Sequence, residues 1–262
     1  MTIPLDNLQN WSRRGLGEMS KQTFNILSGI LVKKIGISRS DIFLQGSYSN
    51  STNVRDNSDI DIVMEFGPDR DVKKLKDYVF SNINGVNGFY FTKGAKTVKF
   101  NGSNLYVSAD IVPCITVDKT KGCVALYDSN NDVIIYNYPK IHILNGRVKS
   151  GNTHGNYKKA VRLMKNAKNY LLDKGHSTNV SSYVIECMLY NVPDELFSGN
   201  ESEFYEKILC WLYDNKGAFK NMCTQDEKRN LFDVTNVSMK SAKHFINRLV
   251  DMWDNWEKYR ND

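Results

Sequence analysis

Residues Gln45 to Phe66 read QGSYSNSTNVRDNSDIDIVMEF, and this stretch decides the fold. Ile42, Phe43 and Leu44 form a short apolar strand, closed by the pair Gly46-Ser47. A polar loop of eleven residues follows Ser47, and then Asp59-Ile60-Asp61 leads into the apolar run Ile62-Val63-Met64. Successive side chains alternate across a strand, so Asp59 and Asp61 are expected on one face, about 7 Å apart by the rise per residue. Carboxylates at that spacing can share hard divalent cations. Gly46 allows close backbone approach to a ligand, and Ser47 offers a hydroxyl and an N–H to a phosphate.

A third carboxylate extends the pattern. Asp110 lies in Leu105-Tyr106-Val107-Ser108-Ala109-Asp110-Ile111-Val112, a strand by its β-branched and aromatic content. If that strand lies beside the first, three carboxylates converge. Such a cluster repels itself and raises its own pKa values unless metal is bound. It suits a two-metal site, in which one ion activates the attacking oxygen and the other holds the leaving phosphate.

Asp-x-Asp alone reads as a solvated loop or a helix start, and Gly-Ser alone as a turn. Their order carries the information: strand, Gly-Ser, loop, Asp-x-Asp, apolar strand, then a later strand with one Asp. On these residues the chain resembles the DNA polymerase β-like nucleotidyltransferase superfamily. The resemblance implies transfer of a nucleotidyl group from a nucleoside triphosphate, with two Mg²⁺ ions and Mn²⁺ as a substitute. By position, Asp59, Asp61 and Asp110 are the implied metal-binding and catalytic triad, and Gly46 and Ser47, next to Gln45, the implied phosphate-contacting group.

The 262 residues allow one large domain or two small ones. Hydrophobic content of 41% and charged content of 24% describe an ordinary globular chain. No apolar run reaches bilayer-spanning length, and MTIPLDNLQNWSRR lacks a signal-peptide core, so neither a membrane nor a leader is expected. Five scattered cysteines, none in Cys-x-x-Cys, signal no zinc site and no disulfide frame and point to a cytoplasmic setting. The net charge of +6 suits a polyphosphate or nucleic-acid partner but carries little weight alone.

Met19, Thr23, Ile26, Leu27, Ile30 and Leu31 fall at helical spacing and predict a helix over 17–35. Strands and turns alternate through about residue 137. Within them, 71–80 reads as a helix, 89–91 and 96–100 as strands, and 122–127 with 133–138 as a hairpin. Beyond about residue 152 the pattern is helical, over 154–174, 181–190, 201–215 and 238–259. The expected fold is therefore α+β: a polymerase β-like lobe with a small mixed sheet (1–150, including an N-terminal spanning helix), a helical lobe (151–262), and an active site in the cleft between them.

The helical region carries further signals. Lys158, Arg162 and Lys165 lie at i, i+4, i+7 on one helix face, which is either a solvated stripe or a surface for a triphosphate. Ser181-Ser182-Tyr183 opens a helix, where serines act as N-caps and free N–H groups also favour an anion. Tyr183 reads either as core or as a platform for a base. Pro139-Lys140-Ile141-His142, Gly155-Asn156-Tyr157-Lys158, Val161-Arg162-Leu163-Met164-Lys165 and Ser182-Tyr183-x-x-Glu186 are similar to the bacterial cGAS/DncV-like nucleotidyltransferases, the CD-NTases of CBASS anti-phage systems. This resemblance covers roughly residues 20 to 195. It implies that Lys165 and Ser182 contact the donor triphosphate and that Tyr183 stacks on its base.

The chain lacks the His/Cys zinc-binding insert of animal cyclic GMP–AMP synthases, so activation by duplex DNA is not expected. Some CD-NTases end in a small residue that a partner enzyme conjugates. The residues here are Arg260-Asn261-Asp262, and the resemblance does not extend to that regulation. The implied activity is synthesis of a cyclic di- or trinucleotide from ribonucleoside triphosphates by a monomer, the product being read by a separate effector protein. Three alternatives stay open: another acceptor (an antibiotic, a protein or a nucleic-acid end), a silent nucleotide-binding protein, and a nucleic-acid-activated sensor using Arg13, Arg14, Lys33 and Lys34.

Overall fold

A computed structural model describes residues 1–15, 17–54 and 59–261. Part of the polar loop after Ser47, Arg55 to Ser58, lies outside the described residues, as does Asp262. The elements in chain order are α1 (Leu5–Ser12), α2 (Glu18–Ile35), β1 (Ile42–Gln45), α3 (Gly46–Ser49), β2 (Ile60–Phe66), α4 (Val72–Ile83), β3 (Phe91–Lys93), β4 (Val98–Phe100), β5 (Ala109–Asp118), β6 (Cys123–Asp128), β7 (Val133–Asn137), α5 (Pro139–Asn152), α6 (Asn156–Asp173), α7 (Ser182–Tyr190), α8 (Glu201–Asp214), α9 (Met239–Asp254) and α10 (Trp256–Asn261).

The chain divides into two compact units. One is Gly15–Ile143, and the other joins Met1–Arg14 to the residues from Leu144 on. The first fourteen residues, which the sequence reading set at the head of the catalytic lobe, thus group with the helical unit. The reason is apolar: Ile3 and Leu8 are fully buried in the helical core, and Trp11 packs against Tyr170 and Trp256.

The first unit is built on a mixed seven-stranded sheet. The order β1-β2-β5-β4-β3 is antiparallel throughout except for β2 and β5, which run parallel. β2 occupies one edge of β5, so the other edge is shared: β4 pairs with its start and β6 with its end. The expected hairpin is β6–β7. On one face of the sheet Ile60, Ile62 and Met64 pack with Leu27 and Leu31 of α2 and Leu75 and Val79 of α4. α4 presents Val72, Leu75, Val79 and Ile83, a single helical stripe, and Asp71 caps it by accepting from the Lys73 N–H at 3.0 Å. The opposite face carries a smaller cluster of Val63, Val112, Cys114, Val124 and Leu126. Asp61 and Asp110 project onto that thinly covered face, two residues before Val63 and Val112.

Three sequence expectations shift. The strand bearing Asp110 begins at Ala109 and runs to Asp118, while Ser103 and Tyr106 close a separate bridge. The segment after β1 is not loop from its start, since Gly46–Ser49 forms one helical turn. Pro139–Asn152 is a helix that the strand-like flank concealed, although Pro at a first helical position is itself a start signal. In the second unit, α6 to α9 enclose a core that includes Tyr157, Val161, Met164, Ile185, Phe204, Ile208, Phe245 and Leu249. Among the described residues no helix is long and apolar enough to cross a membrane.

Candidate active site

The register of the sheet aligns four polar side chains in one row across adjacent strands. Gln45 of β1 pairs with Asp61 of β2, Asp61 with Asp110 of β5, and Asp110 with Lys99 of β4. Directly paired residues point to the same face with Cβ atoms about 5 Å apart, so Asp61 and Asp110 are held side by side by backbone pairing alone. Asp59 stands exposed one residue ahead of β2, which is anchored where the Ile60 N–H donates to the Ser108 carbonyl at 3.0 Å. Thr97 donates its hydroxyl to Asp110 Oδ1 at 3.2 Å, and the Lys99 ammonium lies 3.9 Å from the same oxygen.

The carboxyl of Asp61 is strongly perturbed. Burial pushes its carboxyl up to about 7, and the negative charges of Asp110 and Asp59 push the same way. Gly46 packs directly on that carboxyl. It has φ +67, and a Cβ placed there would lie 2.1 Å from Asp61 Oδ2. The glycine is required because the Asp61 carboxylate occupies the space of a side chain, a different reason from the ligand approach that the sequence suggested. Ser47 follows in the first turn of α3, whose fold is closed by Thr52 donating its N–H to the Ser47 carbonyl at 2.8 Å.

These residues fit a divalent cation. Hard carboxylate oxygens are the right donors, and their mutual repulsion is what a cation would relieve. Among the described residues, no three His, Cys, Asp or Glu side chains are already gathered as a ready-made metal cluster.

In the helical unit, the basic face of α6 is not a solvated stripe. Lys158, Arg162 and Lys165 are 7%, 8% and 3% exposed. Arg162 donates through Nε to the Ser12 carbonyl at 2.6 Å, and burial lowers its pKa to about 10. Lys158 and Lys165 flank Glu186 of α7 at 3.8 Å each. Ser181, not Ser182, is the N-cap of α7: its hydroxyl accepts from the Val184 N–H at 3.3 Å, which leaves Ser182 exposed in the first turn. Tyr183 is 36% exposed, and burial first, then the electrostatic influence of Cys187 and Asp226, raises its phenol.

Known proteins bear on both units. A model of the nucleotidyltransferase domain matches residues 25–140, and a model of the cGAS/DncV-like nucleotidyltransferase C-terminal helical domain matches residues 144–254. A cyclic dipurine nucleotide synthase of Elizabethkingia meningoseptica is 31% identical across 97% of this chain and 98% of its own. The chain belongs to the cGAS/DncV-like nucleotidyltransferases. A cyclic UMP-AMP synthase of Rhodothermus marinus is 28% identical across 98% of this chain and 99% of its own. The solved structure of the Elizabethkingia CdnE cyclic dinucleotide synthase with GTP and Apcpp superposes with a TM-score of 0.85, at 27% identity, over 97% of this chain and 99% of that one.

In this CD-NTase the sequence reading missed two neighbours of the carboxylates. Thr97 and Lys99 contact Asp110, and alternation along the expected strand 96–100 already placed them on one face. Also passed over is Gln225, a packing residue of the helical unit. It is fully buried, accepts from the Tyr157 hydroxyl through its side chain, and accepts from Asn145 Nδ2 at its carbonyl at 2.9 Å. It lies between Met222 and Leu231, whose backbones pair at 2.9 Å, and no local pattern marks it.

Proposed function

We propose that this chain joins ribonucleoside triphosphates into a cyclic di- or trinucleotide, a signal read by a separate effector protein in anti-phage defence, and that it works in the cytoplasm as a monomer. One observation carries the reading. The register-aligned Asp61 and Asp110, with Asp59 ahead and Gly46 packed on Asp61, occur in a chain whose full-length relatives are cyclic nucleotide synthases. Those relatives are named for different base combinations, UMP with AMP, two purines and two pyrimidines.

Asp59, Asp61 and Asp110 would hold two divalent cations, Mg²⁺ with Mn²⁺ as a substitute. Bound there, they would supply charge neutralisation for the phosphates. The chain's own groups do the positioning. Ser47, with Gln45 and Gly46 beside it, offers its hydroxyl and N–H to the donor phosphates, and Lys165 and Ser182 add a cation and a hydroxyl. Tyr183 stacks on the donor base. The acceptor ribose hydroxyl attacks the α-phosphorus, Asp110 takes its proton, a P–O bond forms, and pyrophosphate leaves. The linear product is then held for a second transfer of the same kind, which closes the ring. Orientation and charge account for the acceleration.

The test is incubation with the four ribonucleoside triphosphates and Mg²⁺, followed by mass spectrometry and nuclease mapping. A phosphatase-resistant cyclic product is expected. The Asp59→Asn/Asp61→Asn double variant should make none while remaining folded. Linear products only, or substantial turnover by the double variant, would overturn the reading.

A further inference from the structure

The buried face of α6 meets α7 in a cluster of three charges. Glu186 Oε1 lies 3.8 Å from the Lys158 ammonium, and Glu186 Oε2 lies 3.8 Å from the Lys165 ammonium. Both separations exceed a hydrogen bond. The Lys158 ammonium is fully enclosed and, among the described residues, has no hydrogen-bond partner. The packing leaves it no slack: a Cβ on Gly146 of α5 would lie 2.7 Å from that nitrogen and 2.4 Å from Gln225 Nε2. Burial lowers the Lys158 pKa to about 8 although Glu186 opposes the shift. A desolvated ammonium without a hydrogen bond is costly, and a hydrophobic residue of similar length would avoid the cost. Its presence calls for a function that a neutral side chain cannot perform.

We propose that Lys158 is a positioning residue for triphosphate binding: it is the reserve counter-charge of Glu186, which frees Lys165 to turn its ammonium to the phosphates. The inference rests on Lys165 as a phosphate contact. Withdrawing one member of a buried ion pair removes part of the compensation of the other charge, which is unfavourable. With a second ammonium at the same 3.8 Å, Glu186 keeps a partner whichever lysine moves. Lys158 and Lys165 are seven residues apart on α6, so both face Glu186 from one side of the helix. No bond is made or broken in this step, only a side-chain rotation.

The experiment uses the full chain with ATP, GTP, CTP or UTP and Mg²⁺, reading Kd by calorimetry, KM and kcat by pyrophosphate release, and ligand-free stability by urea unfolding. Lys158→Met should raise Kd and KM by about tenfold or more, on the scale of a lost hydrogen bond to a charged group. Ligand-free stability should be unchanged or higher. Lys158→Met/Glu186→Gln should bring Kd back to within a few-fold of the parent, because residue 186 then carries no charge for a departing Lys165 to leave behind. A packing role for Lys158 predicts the reverse: lower stability, normal affinity per folded molecule and no rescue. Normal Kd and KM in Lys158→Met, or a loss that Glu186→Gln does not repair, overturns the proposal. Should Lys158→Met fail to fold, Glu186→Gln alone decides, with affinity at or above the parent's expected and a tenfold loss overturning it. Lys165→Ala separates the two readings. If it leaves binding unchanged, the phosphate role of Lys165 fails. If it weakens binding while Lys158→Met does not, only the reserve role fails.

Discussion

Replacing Asp61 by Asn should stabilise the metal-free protein at alkaline pH. The carboxylate is pressed against Gly46 and paired in register with Asp110, and its pKa is raised from 3.8 to about 7, by burial first and then by Asp110 and Asp59. In the unfolded chain the same carboxyl keeps its ordinary value. From about pH 4 to about pH 7 the folded state therefore binds the extra proton, and stability falls as pH rises through that window. The contribution is fully present below the unfolded value and lost above the folded one. At 1.36 kcal/mol per pH unit, a span of about three units corresponds to roughly 4 kcal/mol. Asn has no proton to lose and should recover much of it. The assay is urea unfolding in EDTA across pH 5 to 8, parent against Asp61→Asn. The difference between the two proteins should grow in favour of the variant as pH rises. Adding Mg²⁺ at pH 8 should stabilise the parent and do less for the variant, since a ligand stabilises only the state that binds it. A difference that stays constant from pH 5 to 8, or a variant less stable than the parent at pH 8 in EDTA, would refute the crowding of these carboxylates.

Gly46→Ala meets both a φ of +67 and the Asp61 oxygen at 2.1 Å, so it should cost about 1–3 kcal/mol of stability and displace Asp61, abolishing pyrophosphate release. A fully active variant would show that Asp61 needs no such space. Lys165→Ala should weaken triphosphate binding by about 1.5–3 kcal/mol, one to two orders of magnitude by calorimetry. For Tyr183, which is partly exposed, Tyr183→Phe should be nearly silent and Tyr183→Ala should cost roughly 1–3 kcal/mol of nucleotide affinity with ligand-free melting little changed. A several-degree drop in ligand-free melting at normal affinity would instead make the tyrosine a packing residue.

Local pattern was enough for the elements around the carboxylates. Alternation and β-branched content placed β1, β2 and the β6–β7 hairpin, and helical spacing placed α2, α4 and α6 to α9 within a few residues, because each buries one repeating face. The Gly-Ser and Asp-x-Asp order, with Asp110 later, singled out the carboxylates, and the family resemblance supplied the role expected of them. Tertiary structure decided which residues share a surface. That Gln45, Asp61, Asp110 and Lys99 form one row depends on strand register, and β2 pairs with a strand almost fifty positions away; a slip of one residue would turn Asp110 to the other face. The reason for Gly46, the raised carboxyl of Asp61, and the burial of Lys158, Arg162 and Lys165 likewise follow from what packs against them. A basic stripe at i, i+4, i+7 has the same sequence whether it faces water or Glu186; only the placement of α7 against α6 distinguishes the two. Sequence sets which charges the chain carries and on which elements, while their desolvation and partners, and hence their chemistry, come from contacts distant in sequence.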